Sequence, residues 1–344
     1  MKLKSIIIAS LATGFMYSCV SVKEETKSET ASSFELINYD NEGEFSYQVD
    51  KFDDIGVIRY KIPSWEKLTL QQKKYAYYLT MAGYSGREII YDQNYRHNLS
   101  IKRALEKIYT DYAGERGSED FKNLVIYLKK IWFANGIHHH YSNDKFKAKF
   151  SQEFLTDALA SLDAKLSEEA LKAIFDDSFD AKKVNLSSEV DLVKASAVNF
   201  YAPDVTKSEV EVYYKSIKDS LNPTPVEYGL NSQLAKDENG KLYEKKYKKG
   251  GMYSEAITEM IGWLEKASEV TENEKQAHAL GLLIEYYKTG DLKIWSAYNV
   301  AWVEATEGDI DYINSFIEVY NDPLGYSGSF ETVVEIKDFK MTEI

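Results

Sequence analysis

This 344-residue chain has one cysteine, Cys19, so no intramolecular disulfide can form and the fold must rest on its core. It also lacks an excess of cations. The formal charge is −13, and nucleic-acid binding, which calls for clustered Lys and Arg, is not expected. One basic run, Lys245-Lys246-Tyr247-Lys248-Lys249, sits beside Gly250-Gly251 and reads as a solvated loop. The five histidines, His97, His138, His139, His140 and His278, do not form His-Glu-x-x-His, which removes the helical zinc site of that pattern. No Gly-x-Gly-x-x-Gly, Walker-type loop or Gly-x-Ser-x-Gly elbow occurs, and no repeat of 20–50 residues.

What is present begins with a leader. Lys2 and Lys4 precede an apolar centre, Ile6 to Met16, and Ser18 stands before Cys19. This has the shape of a secretory signal, too short and weakly flanked to span a membrane. The lone cysteine after Met16-Tyr17-Ser18 resembles a bacterial lipobox, with Met where Leu is usual. That implies lipidation at Cys19 and a chain exported across the inner membrane, lipid-anchored on the periplasmic or outer-membrane face. An ordinary leader with an incidental cysteine is the alternative. Residues 20–44 are acidic without apolar period and read as a flexible tether.

The folded body is expected over residues 45–344. Phe45 to Ile62 reads as a β-hairpin closed by Pro63, and Ser64 as an N-cap ahead of a helix loosened at Gly83 and Gly86. Helices follow with Ile101, Leu105 and Ile108 on one face, then from Ser118 to a stop near Asn135-Gly136. Short helices are expected over 154–166 and 168–175, and residues 189–200 are ambiguous. A helix over 208–221 is stopped by Asn222-Pro223, and residues 224–251 read as a long loop. The strongest helices are 253–267 and 272–287, with another over 292–305. Strands, many helices, then strands give an α+β class. With 27 Tyr against 15 Phe and 5 Trp, the chain has many aromatic surfaces with a polar tip, which suit wet clefts or reflect bias.

The chemistry-bearing stretch is Ile317-Glu318-Val319-Tyr320-Asn321-Asp322-Pro323-Leu324-Gly325, continuing through Ser327-Gly328 to a second β-prone run, Phe330 to Ile336. It reads as two strands joined by a Pro/Gly loop. Glu318 and Tyr320, two apart on a strand, would share a face, and such pairs often only face solvent. In His138-His139-His140 only His138 and His140 would converge on one face, which leaves a metal site short of ligands.

These segments resemble dipeptidyl peptidase III, a family of zinc exopeptidases that remove dipeptides from peptide N-termini. Ser329-Phe330-Glu331, Trp132 to Ser142, Tyr228 to Leu234 and Trp302 to Asp309 agree in order, the histidine segment with the bacterial branch. The resemblance implies the family's lower lobe, helix-rich with a small antiparallel β-barrel or sheet, over 45–344. It implies that Glu318 holds the substrate's α-amine and that Tyr320 polarises the scissile carbonyl and stabilises the oxyanion. Asn135, His138 and His140 would line the same cleft. The family's zinc motif, His-Glu-x-x-Gly-His, is expected downstream of Ile344. The chain alone is therefore expected to hold no metal, to be inactive by the family mechanism, and to bind short peptides beside a separately encoded catalytic half. The runner-up is a non-catalytic peptide-binding lipoprotein.

Overall fold

The computed structural model describes residues 45–218 and 226–343; the leader, Cys19, the tether and the Asn222-Pro223 stop lie outside the described residues. Ten helices and three two-stranded antiparallel sheets are described. The architecture is α+β, and among the described residues no barrel closes. None of the described helices is long and apolar enough to cross a membrane.

The chain opens with the expected hairpin, β1 (Gln48–Phe52) and β2 (Ile55–Ile58), turned at Asp53-Asp54. Ser64 does not cap a long helix. It precedes a single 3₁₀ turn, Trp65–Lys67, without a side-chain cap bond. The true start is at Thr69, whose hydroxyl accepts from Gln72 N while the Gln72 side chain accepts from Thr69 N. That capping box satisfies two orphan donors at once. Helix α1 (Leu70–Gly86) then runs through both glycines rather than loosening at them. A Cβ on Gly83 would lie 2.4 Å from Thr332 Oγ1, and one on Gly86 2.3 Å from the Phe330 ring. The missing side chains let a strand settle directly on the helix.

Helices α2 (Ile89–Asn94), α3 (Asn98–Asp111), α4 (Glu119–Ala134), α5 (Gln152–Ala160) and α6 (Glu168–Phe175) enclose one core around Ile101, Leu105, Leu124, Leu128, Ile131 and Leu155. Ser118, Ser151 and Ser167 each cap the helix that follows through a side-chain oxygen. The ambiguous stretch 189–200 is neither helix nor strand. Helix α7 (Lys207–Ile217) packs Val210 and Tyr214 into a second core with Phe200, Val205 and Leu234.

From residue 226 on, the stretch expected as a long loop over 224–251 is not one. They contain β3 (Ser232–Lys236) and β4 (Leu242–Lys246), paired in register from Ser232–Lys246 to Lys236–Leu242. Charge masked this hairpin: β4 reads Leu-Tyr-Glu-Lys-Lys, with little of the apolar alternation that marks a strand. Lys245 and Lys246 belong to β4, so the basic run is partly strand.

The third and largest core joins α1, α8 (Ser254–Ser268), α9 (Glu274–Thr289) and α10 (Leu292–Glu304) with β5 (Ile310–Phe316) and β6 (Phe330–Ile336). Many of its fillers are tyrosines: Tyr75, Tyr247, Tyr286, Tyr287, Tyr298 and Tyr312 are all buried. Much of the unusual tyrosine content therefore serves packing.

Candidate functional site

Strand β5 ends at Phe316, so Glu318 and Tyr320 do not sit on a strand. The ladder persists briefly beyond it. Ile317 N donates to Ser329 O at 3.0 Å, while Ser329 N donates to Glu318 O at 2.9 Å. Two residues thus face one across the pair, which is a β-bulge, and it breaks strict alternation at Glu318. Tyr320 lies in the turn closed by Asp322 N donating to Val319 O at 3.0 Å. Their proximity comes from a bulge and a turn, not from the same-face rule.

The loop is held from below by Asp322, 5% exposed. Its Oδ2 accepts from Tyr201 OH at 2.7 Å, Ser327 N at 2.7 Å and Tyr326 N at 2.9 Å, and its Oδ1 from Leu324 N at 2.9 Å. Gln93, fully buried on α2, ties the second side of the loop: it donates to Gly328 O at 3.0 Å and accepts from Phe330 N at 2.8 Å. Asn321 donates to Ser329 Oγ at 3.0 Å. Few polar groups in the loop interior are left free, which fixes what the loop displays.

It displays an acid pair and a phenol. Glu331 lies opposite Ser315 in the register and is partly buried, and its carboxyl has no hydrogen-bond partner among the described residues. Its carboxyl is pushed up to about 7, first by burial and then by the Glu318 carboxylate. Tyr320 is 68% exposed, and its hydroxyl is held above the ordinary range by partial burial, then by Glu331 and Glu318. It stays a protonated donor at neutral pH. Glu331 carried no role in the sequence reading; its signal was its place in a β-prone run beside the loop, which alternation alone could not aim at Glu318.

Asn135, His138 and His140 divide. Asn135 is the left-handed C-cap of α4 (φ 54°), and its carbonyl accepts from Asn94 Nδ2 at 3.0 Å. Asn98 braces the same corner, accepting from Ile137 N at 3.1 Å and donating to Tyr91 O at 2.9 Å. The histidines do not share a face as consecutive strand residues would. His138 pairs with Lys145 in an isolated bridge, is 2% exposed, and meets Asp180 O through Nε2 at 2.8 Å. Burial pushes it down to about 4, so it is neutral. His140 lies in the following turn, stacked on His139 at 5.0 Å and against Tyr141 at 4.0 Å. Tyr141 is in electrostatic range of Tyr320. Of the three, only His140 is tied to the acid-phenol group, and through Tyr141. Among the described residues no group of three or more His, Cys, Asp and Glu could hold a metal, and no metal-dependent step is assigned to them.

The comparisons with known proteins decide the family. A family model described as peptidase family M49 matches residues 166–344, which contain the whole Glu318–Glu331 loop. The chain belongs to peptidase family M49. M49 peptidases are zinc-dependent in general. The M49 chain is similar in fold to a structure of dipeptidyl peptidase III from Caldithrix abyssi, with TM-score 0.53 and 20% identity over 81% of this chain and 42% of that one. It is likewise similar to dipeptidyl-peptidase III from Corallococcus sp. strain EGB, with TM-score 0.54 and 16% identity over 82% of this chain and 42% of that one. The chain therefore spans less than half the length of either relative. A comparison with curated protein sequences returns no match.

Proposed function

We propose that this chain forms the substrate-binding part of a dipeptidyl peptidase III-like metallopeptidase, in which Glu318 and Glu331 grip the free α-amine of a peptide. The observation that carries this reading is the acid pair itself. Glu331 is raised to about 7 because burial and Glu318 oppose its charge. An ammonium between the two carboxylates would remove that opposition and form charge-assisted hydrogen bonds. Tyr320, kept protonated by the same surroundings, would donate to the carbonyl that follows the amine, where negative charge develops in peptide hydrolysis. The family's zinc would polarise that carbonyl and activate water when bound; the residues of this chain orient the peptide and supply the phenolic donor. Asn135, held at its αL cap by Asn94, keeps its expected place as a substrate contact in this reading. The expected setting is the lipid-anchored chain described above, with a catalytic half supplied from outside residues 1–344.

Calorimetry with tetra-alanine and its N-acetylated form tests the amine reading. The free amine is expected to bind roughly 10- to 100-fold more tightly, the value of one or two charge-assisted contacts. Equal binding of the two forms would sink it.

A further inference from the structure

The chain carries a formal charge of −13, yet one of its cavities is lined by cations. The cavity lies where β4 leads into the turn before α8, measures about 660 Å³, and takes Lys245, Lys246 and Lys248 into its wall. All three are partly buried, and none of their amines has a hydrogen-bond acceptor or an ion-pair partner among the described residues. The one acid in the wall, Glu244, does not pair with them; its Oε1 accepts from Ser232 Oγ at 3.0 Å. Lysines of the same hairpin can find acids, since Lys236 on β3 pairs with Glu209 at 2.9 Å. Three like charges gathered without a counter-charge repel one another, and an anion among them would remove that repulsion.

Lys248 is the most closely placed of the three. A Cβ on Gly251 would lie 3.0 Å from Lys248 Cγ, and one on Gly290, the left-handed C-cap of α9, 3.1 Å from Lys248 Cδ. Two glycines therefore make room for the lysine stem and confine it, so less freedom is lost when its amine meets a ligand. The neutral donors beside the lysines are spent. Gln233, 5% exposed, donates through Nε2 to Asn199 O at 2.8 Å and Asn199 Oδ1 at 2.9 Å. Gly251 N donates to Lys248 O and Met252 N to Lys246 O, each at 2.9 Å. What the cavity offers an anion is its amines. Among the described residues no arginine lines it. Lysine amines are point charges that suit phosphate oxygens, whereas a planar carboxylate is gripped best by the guanidinium fork. Tyr243, 41% exposed, and Met252 add an apolar side, which leaves room for an organic body beside the phosphates.

We propose that this cavity binds a diphosphate group, free or carried on a small organic body, through Lys245, Lys246 and Lys248. No residue of the Glu318–Glu331 loop takes part, so the site stands apart from the amine reading. Pyrophosphate, ADP, orthophosphate and citrate are titrated calorimetrically, without divalent cations, into the full chain and into Lys248→Met, Lys248→Arg, Lys245→Met and Lys249→Met. Pyrophosphate is expected to bind one to one, roughly tenfold more tightly than orthophosphate or citrate, and more weakly as salt is raised. Tighter binding of ADP than of pyrophosphate assigns the organic body to the Tyr243 side, and equal binding makes the free diphosphate the ligand. Lys248→Met should weaken pyrophosphate about tenfold, and Lys248→Arg should keep most of the affinity. Lys249 is exposed and outside the wall, so Lys249→Met controls for general charge and should change affinity by less than about twofold. Thermal unfolding shows whether each variant is folded, and Lys245→Met carries the same test if Lys248→Met is not. Absence of one-to-one binding by both pyrophosphate and ADP, citrate binding as tightly as pyrophosphate, or equal losses in Lys248→Met and Lys249→Met overturns the proposal.

Discussion

Asp322 and Glu331 lie nine residues apart around one loop, and they are treated in opposite ways. Asp322 is nearly fully buried, with Tyr201 OH and three backbone N–H groups donating to it. Glu331 is half-buried, has no donor among the described residues, and has the like charge of Glu318 for a neighbour. The first carboxylate shapes the loop. Burial raises both carboxyls, but only the second lacks donors and faces a like charge, and that imbalance is what a cationic ligand could relieve. Lys145 and Lys183 differ likewise: one amine is enclosed by three carbonyls, the other has no acceptor among the described residues. The satisfied buried charges hold the scaffold together.

The comparison can be broken most severely at Asp322. Asp322→Ala leaves three backbone donors and the Tyr201 hydroxyl without their acceptor, and should cost about 3 kcal/mol or more in denaturant unfolding. A loss under about 1 kcal/mol would show that the loop is held elsewhere. Next in size is the lysine pair. Lys145→Met removes three charge-assisted bonds and should destabilise by about 2 kcal/mol, whereas Lys183→Met removes an amine with no hydrogen-bond acceptor among the described residues and should be close to neutral. Equal destabilisation by the two would erase the distinction.

Glu331 gives a pH-dependent test. Its folded pKa of about 7 lies above the ordinary glutamate value of 4.5, so the folded state favours the protonated form. The stability this contributes is full below about pH 4.5 and is lost as pH rises through 7. Glu331→Gln, which mimics the neutral acid, should therefore match the parent near pH 4 and be the more stable protein near pH 8. Denaturation curves at both values decide it, and a constant difference between them would contradict the shift. The smallest effect on stability is expected at Tyr320. Tyr320→Phe should change unfolding by no more than about 0.5 kcal/mol because the ring is largely open, while peptide affinity should fall if the hydroxyl donates to a carbonyl.

Much of the fold was legible from residue pattern. Helices α8, α9 and α10 lie within about two residues of their expected limits, and β6 matches Phe330 to Ile336, because periodic apolar faces and turn residues act locally. The hairpin of β3 and β4 was not legible, since β4 carries three charges in five residues and the strands are defined by their pairing with each other. Nor was the start of α1, where Thr69 and Gln72 form a cap that competes with the more conspicuous Ser64 after proline. The candidate site was half legible: Glu318 and Tyr320 could be named, but the strand said to carry them stops at Phe316.

By itself the sequence determined the helical faces, the proline turn after Tyr320, the acid and phenol two residues apart, and the resemblance that the M49 match bears out. Only the tertiary structure decided which charges have partners. Glu331 meets Glu318 through a bulge, β6 lies against α1 where Gly83 and Gly86 make room, and Lys183 is buried between loops distant in sequence. Desolvation and electrostatic pairing depend on distances between residues far apart along the chain, which local periodicity does not encode.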